Sequence, residues 1–197
     1  SPMGIEGTEH VSIAQKFYID PIKNLSIETY GTLFFMNSYD LIQDMTFTQS
    51  RDFMTGFKAK YDVKDWFSVH LSMHADFYDR FKRHERLDER KKVYKSCILE
   101  PRLTVTSNYF NHHSLIFGIE HTSDELTSDR FVNRKMTTRA LHETEYFLQD
   151  EWIPNTHWLL STGVRTNFSK AFGFMWMPKL AAKYSLNNHW AFRANYS

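Results

Sequence analysis

The stretch that decides the fold runs from Phe67 to Phe77 and reads FSVHLSMHADF. Every second residue, counted from Phe67, is apolar, and the residues between are serine, histidine or aspartate. Alternate side chains of a β-strand point to opposite faces, whereas a helix would distribute them around its axis. The stretch therefore predicts a strand with one apolar face and one polar face.

The same alternation recurs along the chain, for example in residues 99–106 and 190–197. It predicts about ten strands that start near His10, Leu25, Thr46, Trp66, Lys92, Ser114, Thr138, Trp158, Phe174 and His189. Most of these runs extend for about ten residues or more, whereas strands of globular proteins usually have five or six. Such lengths suit a tilted membrane crossing. The predicted fold class is all-β, a long antiparallel meander of about ten strands.

The connections between these strands are of two alternating kinds. Short ones fall at residues 20–24, 63–65, 109–113, 154–156 and 187–188; longer charged ones fall at 40–44, 80–91 and 123–136, with a short exception at 169–173. Outer-membrane barrels have short periplasmic turns and longer extracellular loops. Four of the five tryptophans adjoin short connections, as an aromatic girdle at the periplasmic interface requires: Trp66, Trp152, Trp158 and Trp190.

Composition restricts the function classes. The 197 residues include 24 basic and 23 acidic side chains, so the net charge of +1 predicts no attraction to nucleic acid. The single cysteine, Cys97, excludes an intramolecular disulfide. No apolar run is long enough for a transmembrane helix, and the mean hydropathy is −0.51, a value that alternating barrel strands also give. There is no nucleophile elbow and no glycine-rich phosphate loop, so neither an enzyme nor a bound cofactor is expected.

Several segments together carry a family resemblance. They are SLIFGIE at 114–120, FLQDEW at 147–152, GVR at 163–165, FG at 172–173, PKLAAKY at 178–184 and AFRANYS at 191–197. These segments resemble the barrel of TonB-dependent outer-membrane receptors. The resemblance implies a barrel of about 22 strands, within the range of outer-membrane barrels. It also implies an N-terminal plug domain and import of a scarce nutrient with energy from a TonB-type protein.

On this resemblance, residues 1–197 are expected to form part of the barrel domain, with the plug and the C-terminal strands absent from the sequence. The expected location is the bacterial outer membrane. The expected partners are the plug, the remaining strands, membrane lipid, the TonB-type protein and a small nutrient. That nutrient is an iron-siderophore, haem, a corrinoid or an oligomeric nutrient.

Two groups of side chains are candidates for the site. The charged connections predicted to be extracellular loops offer contacts to an anionic ligand, through Arg80, Lys82, Arg83, His84, Arg86, Arg130 and Arg134. The polar faces of the strands should line the lumen and face the plug, through His70, His74, Asp76, Arg102, Arg165 and Arg193. His70 and His74 would lie about 13 Å apart in a strand that rises ~3.3 Å per residue, so the two imidazoles cannot share a metal ion. No metal site is predicted.

Two alternatives assign the apolar face differently or omit the plug. In a soluble lipocalin-like barrel the apolar residues Phe67, Val69, Leu71 and Phe192 would line an interior cavity for a small ligand. In a receptor they would face outward into lipid. The remaining alternative is an outer-membrane porin without a plug.

Overall fold

The structure, a computed structural model, describes residues 6–40, 46–84, 90–132, 135–187 and 189–196. These residues form ten strands: β1 (Glu6–Ile22), β2 (Leu25–Asp40), β3 (Thr46–Lys64), β4 (Phe67–His84), β5 (Arg90–Ser107), β6 (His113–Val132), β7 (Lys135–Trp152), β8 (Trp158–Ser169), β9 (Gly173–Ser185) and β10 (Ala191–Tyr196). All ten lie in one antiparallel sheet in sequence order. The predicted all-β meander is confirmed, and β2, β3 and β8 begin at the predicted residues. The described part of the chain contains no helix long and apolar enough to span a membrane.

One face of the sheet is apolar across many strands. A row of directly paired positions crosses six strands through Val69, Val105, Phe117, Leu148, Val164 and Pro178. No second layer covers this face, since Phe117 in this row is 49% exposed and Phe192 on β10, which shares the face, is 61% exposed. Within the described ranges Ala75 is the one buried hydrophobic residue. The sheet therefore lacks the apolar core of a soluble domain.

The opposite face is polar and hollow. A cavity of about 620 Å³ opens on it and is lined by Glu28, Lys58, His70 and Arg102, among others. Lys16 Nζ lies 3.0 Å and Lys58 Nζ lies 3.6 Å from the same oxygen of Glu28, so this face also carries ion pairs between strands. A lipocalin-like barrel would place its apolar side chains around the cavity. The observed arrangement is the reverse, so that alternative is wrong.

The apolar side chains form a band of defined height. On β4 the outward positions are apolar from Phe67 to Phe77, and Asp79 follows. Ten steps of ~3.3 Å give about 33 Å along the strand. A tilt of about 40° reduces this to a vertical height of about 25 Å, which is the height of the apolar band of outer-membrane barrels. We call this zone the apolar band.

Four tryptophans mark one end of the sheet, which we call the Trp end. Trp66 packs edge-on against Tyr109 with ring centroids 4.9 Å apart, and Trp158 lies 4.8 Å from Tyr184. Trp152 stacks on His113, and Trp190 precedes β10. The predicted grouping of these residues beside short turns is confirmed.

Two turns at the Trp end use the same local motif. Asn155 Oδ1 accepts hydrogen bonds from the backbone N–H groups of His157 and Trp158, at 2.9 and 3.1 Å. Asn187 Oδ1 accepts the equivalent bonds from His189 and Trp190, both at 2.9 Å. An asparagine that accepts from the backbone two and three residues later fixes a tight turn. Each turn therefore places a tryptophan at the first residues of the next strand.

At the opposite end of the sheet, which we call the loop end, strands β1 to β7 extend further than β8 and β9 do. Strands β1 to β7 have 16 to 20 residues, whereas β8 and β9 have 12 and 13. The sequence predicted long loops at 80–91 and 123–136. This prediction is wrong for most of these residues, because β4 continues to His84 and β6 to Val132. The charged residues remain paired as strands that extend past the apolar band.

Neighbouring substitutions on β5 test which face contacts lipid. Leu103 pairs with Leu71 near the middle of the apolar band, and Thr104 lines the 620 Å³ cavity. We expect Leu103→Arg to lower the free energy of unfolding in lipid vesicles by about 2–4 kcal/mol, because it places a cation at the bilayer midplane. Thr104→Arg should cost less than about 1 kcal/mol, since its side chain enters a hydrated cavity.

The measurement is urea unfolding of the full-length protein in phosphatidylcholine vesicles, with both variants compared with the parent protein. If Thr104→Arg lowered the free energy of unfolding more than Leu103→Arg did, the apolar face would not be the face that contacts lipid.

Candidate ligand-binding site

The structure brings three of the predicted ligand-binding cations together at the loop end. Arg80 and Lys82 of β4 and Arg130 of β6 line one cavity of about 670 Å³, and Tyr94 of β5 and Ser128 of β6 line it with them. Arg80, Tyr94 and Ser128 are consecutive partners across β4, β5 and β6. We call this space the ligand cavity.

Arg80 is held in place by Tyr78, which in turn packs against Tyr94. Its Nε atom donates a hydrogen bond of 2.9 Å to Tyr78 Oη, which also shares a 2.9 Å hydrogen bond with the buried Ser50. The ring of Tyr94 packs edge-on against that of Tyr78, with centroids 5.5 Å apart. The fixed guanidinium and the tyrosine rings together offer positive charge and flat apolar surface, which suits an anionic ligand with aromatic or planar groups.

A β-bulge shapes this part of the wall. The pairing of β4 with β5 shifts between Arg80 and Phe81, which leaves Val93 without a partner in the ladder. The carbonyl oxygen of Val93 accepts a 3.4 Å hydrogen bond from Ser128 Oγ, and Ser128 Oγ accepts one of 3.2 Å from the Arg130 backbone N–H. Bulges bend strands and redirect side chains. This one joins β5 to β6 at the ligand cavity.

The other predicted loop residues are placed elsewhere or lie outside the description. Arg83 shares the outward side of β4 with Phe81, so it points away from Arg80 and Lys82. His84 is the last residue of β4, and its side chain is not described. Arg86 and Arg134 lie outside the described residues. The location of Arg80, Lys82, Arg83 and Arg130 is thus strand rather than loop. Their role in ligand binding stays a prediction.

An ion-pair network crosses the polar face lower down. Glu120 of β6 lies 3.7 Å from Arg102 Nε on β5 and 3.7 Å from Arg165 Nη2 on β8. Arg165 also forms an ion pair with Glu145 of β7. The sequence predicted that Arg102 and Arg165 face the lumen, but it did not identify their carboxylate partners. Two cations and two carboxylates compensate one another across four strands.

Phe147 and Gly118 complete this network. The Arg102 guanidinium lies 5.0 Å from the centre of the Phe147 ring, and that ring covers Gly118, its partner on β6. Any side chain at position 118 would collide with the ring. The absent side chain of Gly118 thus allows Phe147 to lie against the sheet and to support Arg102.

The network has a further hydrogen-bond donor in Asn167. Its side chain donates hydrogen bonds of 3.3 Å to Glu143 and 3.2 Å to Glu145, and Glu145 also pairs with Arg165.

The remaining predicted lumen residues share the polar face but lie apart. His74 Nδ1 makes a 3.1 Å hydrogen bond with Tyr30 Oη, and His70 Nε2 makes one of 3.2 Å with Ser68. Asp76 lines a cavity of about 390 Å³. Arg193 of β10 is exposed opposite Lys183, two cations in directly paired positions. Among the described residues no group of three or more His, Cys, Asp or Glu side chains could hold a metal ion.

An open wall of long strands, apolar outside and polar on its hollow side, is the structure of an outer-membrane barrel segment. The family model "TonB dependent receptor-like, beta-barrel" matches residues 13–197. The chain therefore belongs to this family, whose members are receptors and transporters of the outer membrane of Gram-negative bacteria. A search of curated protein sequences finds no match.

Solved structures of siderophore receptors share this fold. The ferric enterobactin receptor PfeA from Pseudomonas aeruginosa superimposes with a TM-score of 0.81 at 11% identity, over 98% of this chain and 33% of that one. The siderophore receptor PirA from Acinetobacter baumannii gives 0.76 at 12% identity, over 94% and 32%. The copper transporter OprC gives 0.67 at 12% identity, over 94% and 35%. The chain thus spans about a third of the length of these proteins.

A double-mutant cycle tests the ion pair between Arg165 and Glu145. Both side chains are partly exposed, so we expect a coupling free energy of about 0.5–1 kcal/mol between Arg165→Gln and Glu145→Gln. The measurement is urea unfolding of the full-length protein in lipid vesicles. Lys179→Gln, on the same face but outside the network, should show no coupling to Glu145→Gln. A coupling free energy of zero for the first pair would contradict the network.

Proposed function

We propose that this chain forms part of the barrel wall of an outer-membrane receptor that imports a scarce, anionic metal chelate, with an iron-siderophore as the preferred class. The observation that carries this proposal is the ligand cavity. It gathers Arg80, Lys82 and Arg130 with Tyr94, whose ring packs against that of Tyr78, on the hollow side of the wall. Membership in a family of receptors and transporters supports the same conclusion and favours transport over catalysis.

The Trp end is assigned to the periplasmic side and the loop end to the extracellular side. Short turns and an aromatic girdle at the Trp end support this orientation, and the taller strands β1 to β7 support it at the loop end. In this orientation the ligand cavity opens above the membrane, where a ligand arrives from outside. The predicted location in the bacterial outer membrane agrees with that of the family.

We assign the whole protein a larger barrel and a plug domain. The chain covers about a third of the siderophore receptors that it matches, and β1 and β10 each pair with one strand in the described sheet. Additional strands would pair with these two edges, because unpaired backbone groups are not tolerated in lipid. The plug would contact the polar face, where the paired cations Lys183 and Arg193 have no described carboxylate partner. A TonB-type protein would supply energy through such a plug.

The charge of the cavity favours one class of nutrient. Three of its lining side chains are basic, and Asp129 is the acidic one, itself 3.8 Å from Lys91. An iron chelate of catecholates combines negative charge with aromatic rings, both of which the cavity can contact. Haem, corrinoids and oligomeric nutrients share only part of this chemistry. One matched structure is itself a receptor for ferric enterobactin, a further reason to test this class first.

Binding to the purified full-length receptor tests the proposal. Ferric enterobactin should bind more tightly than the corrinoid cyanocobalamin. Arg80→Gln should weaken binding about 10- to 150-fold, because a hydrogen bond to a charged group contributes ~1.5–3 kcal/mol. The triple variant Arg80→Gln/Lys82→Gln/Arg130→Gln should lose more affinity for ferric enterobactin than Arg80→Gln does. Equilibrium fluorescence quenching in detergent gives the dissociation constants.

The matched control removes three charges near the Trp end, through Lys23→Gln, Lys60→Gln and Lys64→Gln. It should bind as the parent protein does. The conservative variant Arg80→Lys, which keeps the charge, should retain most of the affinity and separates loss of charge from misfolding. Tighter binding of cyanocobalamin than of ferric enterobactin, or unchanged binding in the triple variant, would contradict an anionic ligand at this cavity.

A further inference from the structure

A second set of cations lies on the outside of the wall. The ring of Phe81 has the Arg90 guanidinium 3.9 Å from its centre, Lys92 Nζ at 5.2 Å and the Arg51 guanidinium at 5.6 Å. These three cations come from β3 and β5 and surround a residue of β4. We call Arg51, Arg90 and Lys92 the basic cluster.

The register places the basic cluster on the same side as the apolar band. Phe81 and Asp79 continue the outward positions of β4 that end with Phe77. Arg51 is the partner of Asp79 on β3, and Lys92 is the partner of Phe81 on β5. The bulge after Arg80 brings Lys92 to this side, whereas Arg80 itself points into the ligand cavity. The two sets of cations are thus on opposite faces of one wall.

Among the described residues, the basic cluster keeps an excess of positive charge. Both carboxylate oxygens of Asp79 accept hydrogen bonds of 2.9 Å from Lys92 Nζ. Arg51 and Arg90 form no ion pair within the described ranges, and Lys95, the partner of Asp79 on β5, adds a further exposed cation. Cations held around one aromatic ring repel one another unless an anion compensates them. An anionic partner on the outside of the wall would supply that compensation.

The height of the basic cluster identifies the environment of that partner. Arg51 lies two residues beyond the outward Phe53, and Phe81 lies four residues beyond Phe77. At ~3.3 Å per residue and a tilt of about 40°, these positions are about 5 to 10 Å above the apolar band. Headgroups occupy this zone at the edge of a bilayer. Phosphate is the anion that headgroups carry there and that arginine binds in bidentate geometry.

A cleft beside Phe81 offers room for such a group. It has a volume of about 290 Å³ and is lined in part by Asn37, Gln49, Phe81 and Arg90. Gln49 Nε2 donates a 3.1 Å hydrogen bond to Asn37 Oδ1, so the amide nitrogen of Asn37 remains available as a donor. The cleft thus combines a guanidinium and an amide donor with an aromatic wall.

We propose that the basic cluster is a binding site for the phosphate groups of lipid headgroups in the outer leaflet of the membrane. The proposal rests on the membrane placement given under Proposed function, but not on the identity of the imported nutrient. Lipid phosphates would neutralise Arg51 and Arg90 and fix the height of this part of the wall. The partner is a membrane lipid rather than free phosphate, because the apolar band directly below the cations would contact the acyl chains of the same molecule.

Native mass spectrometry of the full-length receptor in detergent tests this site. The probes are bisphosphorylated lipid A and the same lipid after enzymatic removal of its phosphates. We expect the receptor to retain the phosphorylated lipid and to release the dephosphorylated one. Each cation near a membrane surface contributes about fivefold to binding, so Arg51→Gln/Arg90→Gln/Lys92→Gln should weaken retention about 100-fold. Inorganic phosphate at equal concentration should not displace the lipid.

Two further variants separate the possible outcomes. Lys58→Gln/Lys60→Gln/Lys179→Gln removes the same charge from the polar face and should retain lipid A as the parent does. Arg51→Lys/Arg90→Lys keeps the charge and should stay within a few fold of the parent. Equal retention of both lipids, or unchanged retention in the cluster variant, would overturn the lipid site. Ferric enterobactin binding, measured on the same samples, should be unchanged in the cluster variant. A failure of the nutrient proposal can therefore be distinguished from a failure of the lipid proposal.

Discussion

The sheet depends on the register of its antiparallel pairs. Side chains alternate between the faces, so a slip of one residue would move every apolar side chain of a strand to the polar face. The register that aligns Val69, Val105 and Phe117 on one face also aligns Arg102 with Glu120 on the other. The apolar band and the ion-pair network are therefore two results of the same backbone pairing.

This arrangement reverses the usual distribution of side chains in a soluble domain. Large apolar residues such as Phe117 and Phe192 are exposed, while the charged network lies on the hollow side. Exposed apolar area is unfavourable in water and favourable in contact with lipid acyl chains. Charges such as Arg165 would be costly in lipid, and on a hydrated inner face they pair at little cost. In the proposed membrane placement, lipid on one side and water on the other would therefore favour the residues found on each face.

A single irregularity connects the two proposed binding surfaces. The bulge after Arg80 leaves Val93 unpaired and changes which residues of β5 point inward and outward. Tyr94 faces the ligand cavity, whereas Lys92 packs beside Phe81 on the outside. Strands β4 and β5 extend past the apolar band, so in the proposed membrane placement water or headgroups would solvate both sets of cations.

Alternation and turn residues are local properties of the chain, so the strands, their two faces and the Trp end could be predicted from the sequence. It did not determine how far the strands extend: the charged residues around Arg80 and Arg130 have the composition of loops, but cross-strand pairing keeps them in the sheet. The alternation of β4, continued beyond Phe77, predicts that the side chain of Tyr78 lies on the polar face. The meeting of Arg80 with Tyr94, and of Arg165 with Glu145, was decided by tertiary structure alone, since register and bulges are set between strands and not within any one of them.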